Sequence, residues 1–321
     1  MLYLNEQDVL QIGVEWPAVV SVIRNACETM GTEDFAQPVK PYLRYRNKKN
    51  RIIAMPAFLG GNTELAGIKW IASFPGNIEN GIKRAHSVTI LNDAATGVPV
   101  GIINTPIISG IRTAGVSGLM IDLWARYNDK TGLKIGLTGL GPIGRLHIDM
   151  LFNLLGDRIE AVRVYDIRSY DKETIAPEWS DRIEFCSSWE DAFVDADIFV
   201  TCTVSDKPYI NIPPRKGSLH LNVSLRDYDA SWVTHADVII VDDWEEVCRE
   251  KTDIEMMHLE YGLQKEQVYN IVQVVADDGM ETLSRGKTVM FNPMGMSVFD
   301  IAVGGYFLNR AERTAVGVAL K

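Results

Sequence analysis

The spacing of apolar positions changes twice along the chain, and each change predicts a different kind of structure. Across residues 16–30 apolar side chains recur at helical spacing, which predicts an amphipathic helix. From residue 40 to residue 100 the period shortens to strand-like runs: YLRY, RIIAMPAFL, AGIKWIASF, SVTILND and PVGIIN. Turn residues such as Gly60-Gly61-Asn62 and the DAATG of residues 93–97 divide them, so short consecutive strands in a largely antiparallel sheet are expected. Near Ile111 the pattern becomes helical again (RTAGVSGLMIDLWARY). Beyond it strands alternate with helical stretches. KIGLTGL, AVRVYD, RIEFCSS, DIFVTCTV, SLHLNVS and DVIIVDD are rich in Val and Ile, as in a parallel sheet covered on both faces.

These patterns predict an α/β protein: a Rossmann-type, doubly wound parallel sheet preceded by an α+β N-terminal part. With 321 residues the chain exceeds the usual single domain. The expected division is 1–112 with 300–321, and 113–299; residues 298–321 are expected to pack back onto the first part. Composition adds exclusions. A net charge of −10 argues against nucleic acid or an anionic membrane as a main partner. The start MLYLNEQDVL has no basic region or long apolar run, and no segment approaches a membrane span, so a cytoplasmic protein is expected. Cys27, Cys186, Cys202 and Cys248 are scattered without a CxxC pair, and the five histidines lack ligand spacing; free thiols and no metal are expected.

The sharpest motif is Gly139-Leu140-Gly141-Pro142-Ile143-Gly144, between a predicted strand and a predicted helix. The first glycine permits a tight turn, the second lets a pyrophosphate approach the backbone, and the third lets helix and strand pack closely. The N–H groups of the helix start would face the phosphates. Asp166 ends the second strand, 22 residues after Gly144. A carboxylate there takes the ribose hydroxyls and repels a 2′-phosphate, which predicts NAD over NADP. Arg168 is a mild counter-signal, since it could meet such a phosphate. Residues 201–205 (TCTVS) would either approach the nicotinamide-side ribose or form an ordinary strand-to-loop junction.

GIKW around Lys69, RTAGVS at residues 112–117 and GLGPIG after it, in that order, make the chain resemble the ornithine cyclodeaminase/μ-crystallin family nearly end to end. The resemblance implies a homodimer, formed through the N-terminal sheet, that uses NAD(P) on amino or imino acids. QPVKPYLR, RIIAMPAFLGG, TCTVSDKPYI and NPMGM are most similar to members that oxidise the C–N bond of a glutamate adduct of 2,3-diaminopropionate. Water then releases 2-oxoglutarate and the diamine, which feeds siderophores or peptide antibiotics. Alanine dehydrogenases, ketimine reductases and a non-catalytic nucleotide-binding protein are the alternatives. The family's RTAA is RTAG here, and Leu225-Arg226 replace the two glycines that precede the cyclodeaminase aspartate, which argues against proline formation from ornithine.

The resemblance also assigns residues. Arg44 and Arg112 match carboxylate-binding arginines, and Met55 joins the substrate set. Arg44 could equally be an exposed strand arginine, and Arg112 could touch pyrophosphate or join the domains. Alternation alone would turn Lys69 outward; the GIKW match makes it a partly buried, substrate-contacting amine with a lowered pKa and a share in proton transfer. Asp227, five residues after Asn222, matches the catalytic aspartate, with Asp229 as a rival and helix capping as the plain alternative. Besides the glycine turn, Asp166 and Arg168, the expected NAD contacts are Arg112, Thr113, Thr203, Val204, Ser224, Met294 and Gly295. The last two would press on the nicotinamide.

Overall fold

Three nine-residue strands, Arg51–Leu59, Leu65–Ser73 and Ala85–Asp93, form the body of the first sheet. In this computed structural model the described residues are 1–168, 177–279, 283 and 285–321. They form two units, Met1–Arg112 with Gly295–Lys321, and Thr113–Met294.

In the first unit the sheet order is Val318–Ala319, Leu2–Leu4, Pro99–Ile103, Ala85–Asp93, Leu65–Ser73, Arg51–Leu59, Phe35–Ala36, and Tyr42–Leu43 also pairs with Arg51–Leu59. Leu2–Leu4 runs parallel to Pro99–Ile103 and the other pairs are antiparallel. Because side chains alternate across a strand, register decides which residues share a face. Met55, Lys69, Thr89 and Ile103 stand opposite one another in a row across four strands. Their face is packed against the helix Ser297–Thr314, and a Cβ on Gly101 would come 2.8 Å from Leu308. The helix Trp16–Gly31 packs beside it, burying Trp16, Val19, Val20, Ile23, Cys27 and Met30 as one helical stripe. The opposite face carries Ile68, Val88 and Ile90, half-buried, and Trp70, 44% exposed.

The C-terminal return starts at Gly295, earlier than the expected residue 300, because the helix Ser297–Thr314 is one continuous element.

The second unit holds a wholly parallel sheet in the order Ile183–Phe185, Ile159–Tyr165, Leu133–Thr138, Ile198–Thr201, Leu219–Asn222, Val289–Asn292, Val238–Val241, Tyr269–Asn270. The strand order reverses between Leu133–Thr138 and Ile198–Thr201, and ligands of open α/β sheets gather at the carboxyl ends of such a pair. Val289–Asn292 was not among the predicted strands. It is only four residues, all buried, and so short an apolar run carries no period of its own. Phe193, Phe199, Tyr228, Trp232 and Met257 fill the core on one side of this sheet. Among the described residues no helix is long and apolar enough to cross a membrane.

Candidate active site

The glycine turn has the geometry its spacing predicts. Gly139 sits at φ +89°, where a Cβ would come 2.5 Å from the Cys202 carbonyl oxygen. A Cβ on Gly144 would come 2.1 Å from the Gly139 oxygen, so strand and helix approach only because both residues are glycine. Gly141 is the exception: its Cβ direction opens into free space. It is the N-cap of Pro142–Leu155, Pro142 sits in the first turn, and no side chain caps the free N–H groups. Pro142 is exposed and Ile143 half-buried. Asp166 accepts the Leu140 N–H on Oδ2 (2.8 Å) and the Arg168 N–H on Oδ1 (2.9 Å), which anchors the turn to the end of the second strand. The Arg168 side chain is exposed, with Nε 3.8 Å from the same carboxylate. An open cradle over Gly141, an uncapped helix start and a carboxylate at the second strand fit a dinucleotide.

Asp227 lies in the loop after Leu219–Asn222 and is fully buried. Its carboxylate accepts from Thr203 Oγ1 (2.6 and 2.8 Å), Ser224 Oγ (2.6 Å) and Tyr209 OH (3.2 Å). Burial raises its pKa against the pull of these donors. Asp253 holds the loop in place: its Oδ2 accepts from the Asn222 side chain and from the backbone N–H groups of Asp227 and Tyr228. Capping belongs to the rival: Asp229 accepts the Ser231 N–H at the start of the short helix Ala230–Thr234. Leu225, where the cyclodeaminase pattern has glycine, sits at φ +62°, so the loop keeps a glycine-like conformation at a cost in strain. Thr203 and Ser224, expected as cofactor contacts, therefore also hold Asp227. Val204 is 68% exposed.

In the first unit Lys69, only 1% exposed, donates to Asp300 Oδ2 (2.7 Å) and lies 3.1 Å from Ser109 Oγ. The outward orientation suggested by alternation is thus not what forms, because a helix covers this face. Arg112, on the helix Ile107–Tyr127, donates through Nε to Asp300 Oδ1 (2.9 Å). One carboxylate thus answers two cations. Burial, with the charges of Arg112 and Lys40 added and only partly offset by Asp300, pushes the Lys69 amine down to about 7. Burial favours the neutral form of Asp300, but Arg112 and Lys69 outweigh it and hold its pKa below the usual carboxylate range. Gly295, at φ +90°, gives its carbonyl to Lys40 Nζ (2.7 Å), and a Cβ there would strike the Arg112 guanidinium at 2.6 Å.

The remaining expected residues divide. Met55 is buried in register with Lys69, and the Thr89 hydroxyl on the other side of Lys69 is buried without a hydrogen-bond partner. Ser297 Oγ, one turn before Asp300, is likewise without one. Buried orphan hydroxyls in a set of buried cations fit a polar ligand. Arg44 is exposed, its guanidinium 4.8 Å from the Tyr42 ring centre. Thr113 is half-buried. Met294 is half-buried, its N–H donated to Asp242 Oδ1 (3.0 Å).

Sequence reasoning missed Asp300, Lys40, Ser109, Thr89 and Tyr209. Asp300 had a usable signal, a lone acid in the apolar run MSVFDIAV. Replacing Asp300 by Asn is expected to cost about 3–5 kcal/mol of folding stability, since it leaves two buried cations facing each other. Urea unfolding would measure it, and a loss under about 1 kcal/mol would contradict the pairing.

The ornithine cyclodeaminase/mu-crystallin family matches residues 14–315. N-((2S)-2-amino-2-carboxyethyl)-L-glutamate dehydrogenase of Staphylococcus aureus is 33% identical, over 100% of this chain and 98% of the relative. The chain belongs to the ornithine cyclodeaminase/mu-crystallin family. Another member, alanine dehydrogenase of Archaeoglobus fulgidus, is 25% identical over 100% of this chain and 98% of its own. The family fold is seen in Thermococcus litoralis Δ1-pyrroline-2-carboxylate reductase, solved with NADH and L-proline: TM-score 0.85, 22% identity, 100% of both chains covered.

Proposed function

We propose that this family member is an NAD-dependent dehydrogenase acting on the C–N bond of a carboxylated amino-acid derivative. Its substrate is N-(2-amino-2-carboxyethyl)-L-glutamate, and the products are 2,3-diaminopropionate, 2-oxoglutarate and NADH, the diamine serving a siderophore or peptide antibiotic. The observation that carries this reading is the buried Lys69–Asp300–Arg112 set, in which one carboxylate answers two cations. Such a set favours an anionic ligand, and the 33% identical relative bears the name of this activity.

Bound at the glycine turn, NAD supplies the hydride acceptor, and Asp166 disfavours a 2′-phosphate. Arg112 and Lys69 hold the carboxylate beside the reacting carbon. Lys69, with its pKa near 7, exists in both protonation states at neutral pH and positions the attacking water. Asp227 takes the proton released from the amine as the C–N bond is oxidised. Because Asp227 is fully buried, that proton reaches it through a neighbouring hydroxyl, and Thr203, half-buried and 2.6 Å away, suits the relay. Water then adds to the C=N carbon and the diamine leaves as the C–N bond breaks, so hydride, proton and water are all accounted for.

The open face of the first sheet, with Trp70, Ile68, Val88 and Ile90, supports dimerisation through this sheet, since an apolar strip of this kind marks an association surface.

NADH absorbance with a substrate panel tests the reading. Turnover of the glutamate adduct with NAD, and little with alanine, ornithine or NADP, is expected. NAD binding without turnover of any amino or imino acid would make the chain a nucleotide-binding protein instead.

A further inference from the structure

Arg51 opens the strand Arg51–Leu59 and lies on the same face as Ile53 and Met55, which is also the face of Lys69. Four residues along a strand place it about 13 Å from Met55, toward the end of the sheet. Tyr42, opposite Ile53 on the adjoining strand, forms an aromatic plate there: Arg44 Cζ lies 4.8 Å and Arg51 Cζ 5.7 Å from its ring centre. Arg51 pairs in register with Ser73, and Ser73 with Ala85, which immediately follows Arg84.

Arg51 and Arg84 are both half-buried, and among the described residues neither has an ion pair or a side-chain hydrogen bond. Other partly buried arginines of this chain are matched: Arg249 with Glu246, Arg182 with the Gly156 carbonyl, Arg158 with the carbonyls of Asn128 and Lys130. Burial first, and then the charge of Arg51, lower the pKa of Arg84. Two half-buried like charges without a counter-charge are costly, and a bound anion would relieve that cost. A planar guanidinium pairs best with a carboxylate or a similar oxyanion.

We propose that Arg51 and Arg84, with Arg44 beside them on Tyr42, form a second carboxylate subsite that takes the distal carboxylate of the substrate. The assignment to substrate rests on the proposed dehydrogenase reading; the anion site itself does not. It makes the enzyme selective for length and charge. A short monocarboxylate such as alanine engages Lys69 and Arg112 and leaves the subsite empty, whereas a substrate with several carboxylates engages both.

The test uses the full chain and two readouts. In the first, citrate binding is followed by calorimetry for the wild type and for Arg51→Gln, Arg84→Gln and the double variant, with Lys48→Gln as a control on an exposed residue. Each single variant is expected to weaken citrate about tenfold or more and the double variant further, with the control unchanged. In the second, the single variants raise KM for the glutamate adduct about tenfold while kcat stays within about threefold. Arg51→Lys restores only part of the loss, because a point charge lacks the planar fork. Folded variants that bind citrate as the wild type does would overturn the subsite. Citrate binding that depends on Arg51 and Arg84, in an enzyme that turns over no glutamate adduct, would keep the subsite and reject the dehydrogenase reading.

Discussion

Replacing Lys69 by Met is expected to lower kcat/KM for the glutamate adduct by about a thousandfold or more, with NAD binding retained. Met fills a similar volume, and Asp300 keeps Arg112 as a partner, so the variant is expected to fold. The proton on Lys69 gives the prediction a second signature. The buried amine has a pKa of about 7 against 10.5 for a free lysine, so between these values the unfolded chain holds more protons than the folded one. Stability contributed by this group therefore rises with pH from about 7 to about 10.5, and below about 7 the buried charge costs its full penalty. The difference in unfolding free energy between wild type and Lys69→Met should change in that sense across the window. The kcat/KM profile of the wild type should also bend near pH 7, and Lys69→Arg should remove the bend. A variant with more than about a tenth of wild-type kcat/KM would exclude Lys69 from the chemistry.

Asp227→Asn is expected to lower kcat by about a hundredfold to ten-thousandfold. An amide keeps the shape but cannot take a proton, and it presents an N–H to one of the hydroxyls of Thr203, Ser224 and Tyr209 that now donate to the carboxylate. Thr203→Val, which removes the proposed relay and leaves Asp227 in place, should give a smaller loss in the same direction. Calorimetric titration should find NAD affinity in Asp227→Asn within about threefold of wild type, because the glycine turn and Asp166 are untouched. Full turnover in Asp227→Asn would move the proton shuttle elsewhere, with Lys69 the next candidate.

The glycine turn was legible in the sequence because Gly139 and Gly144 have steric jobs that tolerate little else and Asp166 anchors the turn. Gly139, Gly144 and Asp166 meet those demands through backbone contacts only a few residues apart or across one strand pair. The parallel and antiparallel sheets were legible from period and from runs of Val and Ile. The strand Val289–Asn292 was not, since four buried residues show no alternation. The cation site was legible only by halves. Lys69 and Arg112 drew attention through motifs, but Asp300, which couples them, is 188 residues from Arg112. Nothing local announces such a pairing, because it depends on which face of the sheet the last helix covers. The same limit applies to Arg51 and Arg84, ordinary surface arginines in sequence until the register brings them to one end of the sheet. Leu225 shows the converse. The missing glycine was visible, yet the backbone still adopts the conformation glycine would favour.

The central claim is C–N oxidation with hydride transfer to NAD, and isotope transfer tests it most directly. The glutamate adduct, deuterated at the glutamate α-carbon, is incubated with the enzyme and NAD in ¹⁸O-water, and the products are weighed by mass spectrometry. Deuterium in the NADH and ¹⁸O in the keto group of 2-oxoglutarate are the expected results; unlabelled NADH, or deuterium retained in the organic product, would contradict the account.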